Sequence, residues 1–362
     1  MECESRRPRA RRGKRARAIA PIQAEVLRRI ARHGRAGCCE GAVARDMIVS
    51  LCEAGGTRGL EDLTAVTSTY SEPVTSPYRE VELVEHAPNG QGATANLLMN
   101  ILARFDIAAL EPMGAERVQP EAEATRLAFD ARDRFLADAD CTTLLAHRPD
   151  PQTAARLAVR IDAGRAHARV ARRTEAIHRD TVTLTVVDRD RMAVSLIYST
   201  YHSFGARLAS RGFGSAFHNR GTGFTLEPGH PTVAAGGKRP MLTIIPGMVR
   251  QGRRVVMSFG MMGGADQPSG HARLVSNMVD FGMDPQQAID APRAFAGLFS
   301  GRDGMALETG YDGAVHQALA ARGHAVRWSD EPLGGAQAIV LDPSDVLIGA
   351  SDPRKDGIAL GY

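Results

Sequence analysis

The sequence predicts an α+β fold in which antiparallel sheets are covered by helices, and three observations carry that prediction. Threonine and apolar residues alternate through Thr181-Val182-Thr183-Leu184-Thr185-Val186-Val187-Asp188, the two-residue period of a half-buried strand. Beyond it, strands follow one another across short turns and helices are grouped between sets of strands, which is not the alternation of a parallel βαβ array. Finally, 43% of the 362 residues are hydrophobic, enough for two domains or one large one with an extensive core.

Taken in order, residues 1–18 form a basic tail. From Arg6 to Arg17 the chain is almost entirely Arg, Lys, Pro, Gly and Ala, a run that repels itself and buries nothing. Residues 19–180 read as mostly helical. Ile22, Val26, Leu27 and Ile30 recur at helical spacing, as do Val43, Met47, Ile48 and Leu51, and Gly55-Gly56 ends the second of these helices. Leu60 to Leu63 is a short helical turn. Val81 to Glu85 reads as a strand, Pro88-Asn89-Gly90-Gln91-Gly92 as a loop, and helices are expected over Ala95 to Phe105 and Glu121 to Leu136. Residues 140–180 are polar and Arg-rich, with breaks at Pro149 and Pro151, as an exposed linker would be. Residues 181–362 are the β-rich region. Its first strand turns at Asp188-Arg189-Asp190-Arg191 into a second, Ala193 to Ser199. Further strands are expected at Met241 to Ile245, Val255 to Phe259, Ala338 to Leu341 and Val346 to Ile348. Helices are expected at Gly270 to Phe281, Pro285 to Ile289 and Ala314 to Arg322.

Composition narrows the function. The net charge is +4, but the excess is local to the tail, where no aromatic residue interleaves the charges to stack on bases. No nucleic-acid partner is therefore expected. No apolar run reaches the ~18 residues of a membrane helix, so no membrane partner is expected. No apolar segment follows the basic start, which argues against a secretory signal. The five cysteines, Cys3, Cys38, Cys39, Cys52 and Cys141, include no Cys-x-x-Cys pair, so neither a disulfide framework nor a metal site is implied. A reducing cytoplasm is the expected location, and no cofactor is expected.

The chemistry centres on Thr181. A threonine hydroxyl is a weak nucleophile until a base takes its proton. A free α-amino group, with a pKa of about 7.7–8.0, is a suitable base near neutral pH. A threonine made N-terminal by cleavage of the Asp180–Thr181 bond therefore carries its own base, and the same hydroxyl can attack the preceding carbonyl to make that cut. On its residues alone Thr181 also reads as an ordinary β-branched strand residue. A second candidate is Met261-Met262-Gly263-Gly264, directly after the expected strand ending at Phe259-Gly260. Paired glycines let backbone N–H groups face a cavity, and such donors stabilise a tetrahedral oxyanion. Alone, the pair is also a plain tight turn.

The order of these strings resembles the γ-glutamyltransferase family of N-terminal-nucleophile hydrolases. Thr181 to Asp188 is similar to the strand opening that family's small subunit. Ser203-Phe204-Gly205, Gly237-Lys238-Arg239-Pro240, Gly263-Gly264, Asp290-Ala291-Pro292-Arg293 and Gly349-Ala350-Ser351-Asp352-Pro353-Arg354 follow in the family's order. Gly361-Tyr362 resembles its ending. Cys39-Glu40-Gly41, Pro88 to Gly92 and Glu123 to Ala128 resemble the second half of its large subunit. The resemblance implies a four-layer αββα sandwich, self-cleavage between Asp180 and Thr181 into a two-chain heterodimer, and hydrolysis or acyl transfer through an acyl-Thr intermediate. By position, Thr181 is the nucleophile and base, Ser199 the hydroxyl residue orienting its amine, and Gly263 and Gly264 the oxyanion-hole glycines. The implied substrate is a small γ-glutamyl or related acyl amide of the glutathione type.

The head-group positions depart from that pattern. Tyr201 stands where the family carries Asn, Arg220 where it carries Gln, and Leu242-Thr243 where it carries Ser-Ser. Gly223 replaces the Asp that holds an α-amino group. Tyr201, Arg220 and Thr243 are accordingly the candidate substrate-binding residues. Arg220 suits a substrate carboxylate, and reads equally as a surface arginine. Other strings, such as Asn219-Arg220-Gly221, look more like a divergent cytoplasmic branch that includes acylases and oxamate or glutaryl-amide hydrolases. Only 180 residues precede Thr181, about half the large subunit the resemblance implies. Exposed sheet edges and apolar faces are thus expected, with an inactive remnant or an interaction partner for a complementary chain as the alternative to an enzyme.

Overall fold

The computed structural model describes residues 21–141, 150–167, 181–296 and 304–362. The basic tail, Cys3 and Asp180 lie outside the described residues. The chain divides into two compact units, the first formed by the residues up to Ser68 with Leu208–Phe217, the second by Thr69–Arg207 and His218–Tyr362.

The first unit is helical. It holds α1 (Pro21–His33), α2 (Ala36–Cys39), α3 (Gly41–Glu53) and α4 (Leu60–Ala65). The expected helices form and the second ends at Gly55, with φ +85°, where the missing Cβ removes the penalty for that conformation. The apolar spacing of α1 does not make a core, however: Val26 is buried, while Ile22 and Leu27 are exposed. Polar contacts hold the 208–217 segment instead. Asp46 on α3 accepts from the backbone N–H groups of Gly212 (2.7 Å) and Phe213 (2.9 Å).

The second unit is built on a six-stranded sheet in the order β1-β2-β5-β6-β10-β11. These strands are β1 (Val74–Tyr78), β2 (Val81–Glu85), β5 (Pro246–Gln251), β6 (Arg254–Met262), β10 (Gly335–Leu341) and β11 (Leu347–Ser351), and every pairing is antiparallel. A separate hairpin, β3 (Thr181–Val187) with β4 (Ala193–Ser199), runs in full register from Thr181↔Ser199 to Val187↔Ala193. It packs on one face of the large sheet, over β6, β5 and β10. The opposite face is covered by α5 (Gly92–Leu102) and α8 (Gln267–Val279), with α6 (Ala115–Phe135) and α7 (Pro151–Ala158) against α5. Leu98, Met99, Ile101, Ile245, Phe259 and Met261 fill the core between sheet and helices. Beside it, α9 (Pro285–Asp290) packs on α8, β10 and β11. A small sheet of β7 (Ala294–Ala296), β8 (Gly304–Leu307) and β9 (Ala325–Trp328) packs with α6 and α10 (Gly313–Ala321) around a second cluster that includes Val118, Met305, Leu307 and Leu319.

Helices, sheet and hairpin thus supply three stacked layers among the described residues. The alternation read from the sequence is real: Thr181 and Thr183 point inward and are buried, while Val182, Leu184 and Val186 point out. That outer face is apolar and open, with Val194, Leu196 and Tyr198 of β4 exposed beside them.

Two expectations need correction, and the strands β1, β5, β7, β8 and β9 were not anticipated. Met241 to Ile245 is not a strand; β5 starts after it, at Pro246, because the 241–245 backbone makes its hydrogen bonds to side chains and loops instead. β1 escaped notice because it contains Pro77. It lies at the sheet edge, where a missing N–H costs no ladder bond. Helix α6 begins at Ala115 and runs through Pro120, well before the expected start at Glu121. Pro120 gives up one intrahelical bond, and the helix persists because its inner face is buried from Ala115 to Arg132.

Candidate active site

Thr181 is the first residue of β3 and is 6% exposed. Its direct cross-strand partner is Ser199, the last residue of β4, which sets their Cβ atoms about 4.5–5.5 Å apart. The Ser199 hydroxyl is held from two sides. Arg220 Nη2 donates to it at 2.8 Å and the Tyr201 backbone N–H at 3.2 Å. Arg220 Nη2 also donates to the Ser199 carbonyl, at 2.9 Å. The guanidinium lies 5.8 Å from the Tyr201 ring centre, and Tyr201 adopts φ +79° and is buried. Thr181, Ser199, Tyr201 and Arg220 therefore form one cluster.

Arg220 is not a surface residue. It opens a 3₁₀ turn, Arg220–Gly223, and is 8% exposed. Among the described residues Nη1 has no hydrogen-bond partner. Burial pulls the guanidinium pKa below its ordinary value, and the group that opposes this is Tyr201 rather than a carboxylate. An arginine stays charged under such a shift.

Gly263, Gly264 and Thr243 form a neighbouring cluster. β6 ends at Met262, and the chain then turns through Gly263 (φ +148°) and Gly264 (φ +56°), conformations that admit glycine and resist a side chain. Three successive carbonyls of the turn are engaged. The Asp266 N–H donates to Gly263 O at 3.0 Å, Gln91 Nε2 to Gly264 O at 2.8 Å, and Arg132 Nη1 to Ala265 O at 3.0 Å. In a trans peptide the N–H points opposite the preceding carbonyl, so pinning Gly263 O and Gly264 O fixes the direction of the next N–H groups. Gln91 Nε2 also donates to the carbonyl of Thr243 at 2.6 Å, and its Oε1 accepts from Arg132 Nη1 at 3.1 Å. Gln267, at the start of α8, accepts from the Ile245 N–H at 2.9 Å. The 241–245 segment is thus strung between the ends of two helices.

Two contacts join the clusters. A Cβ added to Gly223 would lie 2.5 Å from Met241 O, so the Arg220 turn abuts the segment carrying Thr243. On the hairpin side, Thr185 Oγ1 donates to Ser258 Oγ at 2.6 Å, and a Cβ on Gly260 would lie 2.5 Å from Thr183 Cγ2. β3 and β6 therefore cross in opposite directions in steps of two residues. Thr181 is at the end of β3 that this direction carries toward the Met262 end of β6 and the Gly263–Gly264 turn.

Asp266, just beyond the turn, is buried, and its Oδ1 has no partner among the described residues. Burial raises its pKa well above the ordinary carboxylate value, against the pull of Arg132. Sequence reasoning missed Gln91, Arg132 and Gln267 as supports of the turn. The string Pro88 to Gly92 was visible, but nothing in it says that its Gln reaches Gly264, 173 residues away. Two other visible strings prove to be structural. Arg293 Nη2 donates to Asp352 Oδ2 at 2.5 Å and Arg354 Nη2 to Glu308 Oε2 at 2.8 Å, in a buried cluster that ties β11 to β8 and α9.

Residues 10–362 match the family described as Gamma-glutamyltranspeptidase. The chain is 32% identical over 344 residues to a glutathione hydrolase-like YwrD proenzyme of Bacillus subtilis, covering 93% of this chain and 65% of the relative. It is 33% identical over 352 residues to an oxamate amidohydrolase proenzyme of Klebsiella pneumoniae, covering 94% and 65%. Among solved structures, a cephalosporin acylase from Bacillus halodurans superposes with a TM-score of 0.83 at 29% identity, covering 94% of this chain and 63% of that one. The chain thus spans about 65% of the length of the curated relatives it matches. A family match over nearly the whole chain and an α+β fold shared with a solved relative lead to one assignment: this chain belongs to the gamma-glutamyltranspeptidase family of N-terminal-nucleophile hydrolases.

Proposed function

We propose that the chain is the catalytic part of a self-processing amide hydrolase or acyltransferase in which Thr181 is the nucleophile. The observation that carries this reading is the position of Thr181: buried, first in its strand, opposite a Ser199 whose hydroxyl is held in place, on a hairpin packed over the strand β6 that ends in the Gly263–Gly264 turn. In the precursor, the Thr181 hydroxyl attacks the carbonyl of Asp180. The C–N bond breaks as the acyl group shifts to the Thr181 oxygen, which frees the α-amino group, and water then hydrolyses that ester to release the Asp180 carboxylate and the Thr181 hydroxyl. That amine then takes the hydroxyl proton as the oxygen attacks a substrate amide. The oxyanion is met by the N–H groups of the glycine turn, the amine proton passes to the leaving group, and water or an acceptor amine releases the acyl group from Thr181. Two relatives that are named as proenzymes support self-processing.

The substrate is an acyl amide. The γ-glutamyl group implied by resemblance draws less support from the site than the amide chemistry does, because Gly223 sits too close to Met241 O to be replaced by an acid that would hold an ammonium. A second reading rests on the open apolar face formed by Val182, Leu184, Val186, Val194, Leu196 and Tyr198: a chain that acts only beside a complementary one. Intact-mass and N-terminal analysis of purified protein, with Thr181→Ala alongside, tests the first. Wild type should separate into fragments of 180 and 182 of the 362 residues, with Thr181 as the new N-terminus, and the variant should stay whole. A folded wild type that remains uncut would favour the second reading.

A further inference from the structure

A buried carboxylate–imidazole pair lies beneath the large sheet, on the face away from the β3–β4 hairpin. Glu85 is the last residue of β2, and His271 stands one turn into α8. Both side chains are fully buried, and His271 Nδ1 lies 2.6 Å from Glu85 Oε1. Among the described residues, Glu85 Oε2 and His271 Nε2 have no hydrogen-bond partner, so the pair depends on its one mutual bond. Glycines make room for it. A Cβ on Gly247 of β5 would lie 2.7 Å from Phe259 Cζ and 3.1 Å from His271 Cε1, and a Cβ on Gly92 of α5 would lie 2.7 Å from Glu85 Cβ. The His271 ring packs on the Phe259 ring, with centres 4.7 Å apart.

The place of the pair links it to the glycine turn. The loop that leaves Glu85 ends at Gln91, whose Nε2 donates to Gly264 O at 2.8 Å and Thr243 O at 2.6 Å. Gly92, the next residue, packs directly on Glu85. The helix that carries His271 begins at Gln267, just past the turn, and Gln267 accepts from the Ile245 N–H at 2.9 Å. One hydrogen bond therefore joins the strand end that seats Gln91 to the helix that follows the turn Gln91 must reach. We infer that Glu85 and His271 are positioning residues for catalysis: their bond fixes β2 against α8, so that Gln91 meets the Gly263–Gly264 turn at hydrogen-bond distance and holds its N–H groups in aim. The kinetic arm of this inference rests on the reading of Thr181 and of the turn as the oxyanion site; the exchange arm below does not.

The test breaks the bond without emptying the space. His271→Phe keeps a ring against Phe259 and removes the Nδ1 contact. Burial already raises the pKa of Glu85, against the pull of His271 and His86, so the acid left behind is neutral. Glu85→Gln keeps an acceptor for the Nδ1–H. Made in the full Thr181→Ala chain, His271→Phe should speed amide hydrogen exchange at Asp266, whose N–H donates to Gly263 O at 3.0 Å, and leave the β6 amides protected. Glu85→Gln should keep most of the Asp266 protection. With Thr181 present and an acyl p-nitroanilide that the wild type turns over, His271→Phe should lower kcat per cleaved molecule by about tenfold or more, up to the 10²–10³ of a lost oxyanion donor, at nearly constant KM. Glu85→Gln should recover most of that loss. A merely structural pair would lower Tm and raise exchange throughout β6 while kcat per cleaved molecule stayed the same. Should His271→Phe not fold, Glu85→Leu breaks the same bond from the strand side and is read in the same way. Unchanged exchange at Asp266, exchange that rises equally along β6, an unchanged kcat, or a Glu85→Gln variant as impaired as His271→Phe would overturn the inference. A wild type that never cuts itself, beside Thr181→Ala variants whose Asp266 exchange follows the pair, would sink the Thr181 reading and leave this one standing.

Discussion

Gln91→Met isolates the part of the site that holds the glycine turn. Methionine keeps the side-chain volume, so no cavity term enters, and only polarity is lost. Gln91 is fully buried and both of its Nε2 hydrogens are used, on Thr243 O at 2.6 Å and Gly264 O at 2.8 Å. Removing them strands two buried carbonyls, at about 1–3 kcal/mol each. Arg132 loses its 3.1 Å acceptor but keeps Asp133 and Ala265 O, so its share is smaller. The expected loss of stability is about 2–6 kcal/mol, read as a lower urea midpoint at unchanged slope. The kinetic consequence is separate. Gly264 O belongs to the peptide that carries the Ala265 N–H, so its release loosens the turn directly beside the Gly263 and Gly264 N–H groups, and a misaimed oxyanion donor costs up to about 10²–10³ in kcat. KM should change little, because ground-state binding does not use that donor. Urea melts followed by steady-state kinetics on an acyl p-nitroanilide that the wild type turns over measure both. A folded, self-cleaved Gln91→Met enzyme with kcat within about threefold of wild type would refute the assignment of this turn as the oxyanion site.

Three further outcomes are expected. Asp352→Asn should lower stability by about 3–5 kcal/mol, since it leaves Arg293 buried without its counter-charge; a urea midpoint close to wild type would contradict a structural role for the Asp352-Pro353-Arg354 string. Burial, helped by Arg126 and Arg322, pushes the pKa of His324 down to about 4, so the neutral ring is the folded form; its contribution is present above about pH 6.5 and lost as pH falls toward 4, roughly 2 kcal/mol between pH 7 and 5. His324→Gln should flatten that part of the stability profile. Asp266 has the opposite sign: its raised pKa, caused by burial, means its contribution is complete below about pH 4 and is lost as pH rises. Asp266→Asn, a copy of the neutral acid, should therefore raise Tm relative to wild type at pH 8 and not at pH 4, as differential scanning calorimetry will show.

Local periodicity made most of the fold legible. The Thr-apolar alternation after Thr181 placed β3 with its inner and outer faces, and the helices α5, α8, α9 and α10 were found to within a few residues. The errors fall where a proline masks an element whose context tolerates it, as at Pro77 on an edge strand and Pro120 in a buried helix. They also fall where a strand-like run such as Met241 to Ile245 serves long-range contacts. Of the site, Thr181, Ser199, Gly263 and Gly264 were legible because their types and order carry chemistry.

By itself the sequence determined the family, the nucleophile candidate and the strand that presents it, because strand period, glycine pairs and ordered strings are local properties of a chain. Only the tertiary structure decided that Gln91 reaches a turn 173 residues away, that Arg220 is buried and donates to the Ser199 hydroxyl, and that no side chain fits at Gly223. Burial and hydrogen-bond satisfaction belong to pairs of distant residues, and they exist only once the sheets have packed.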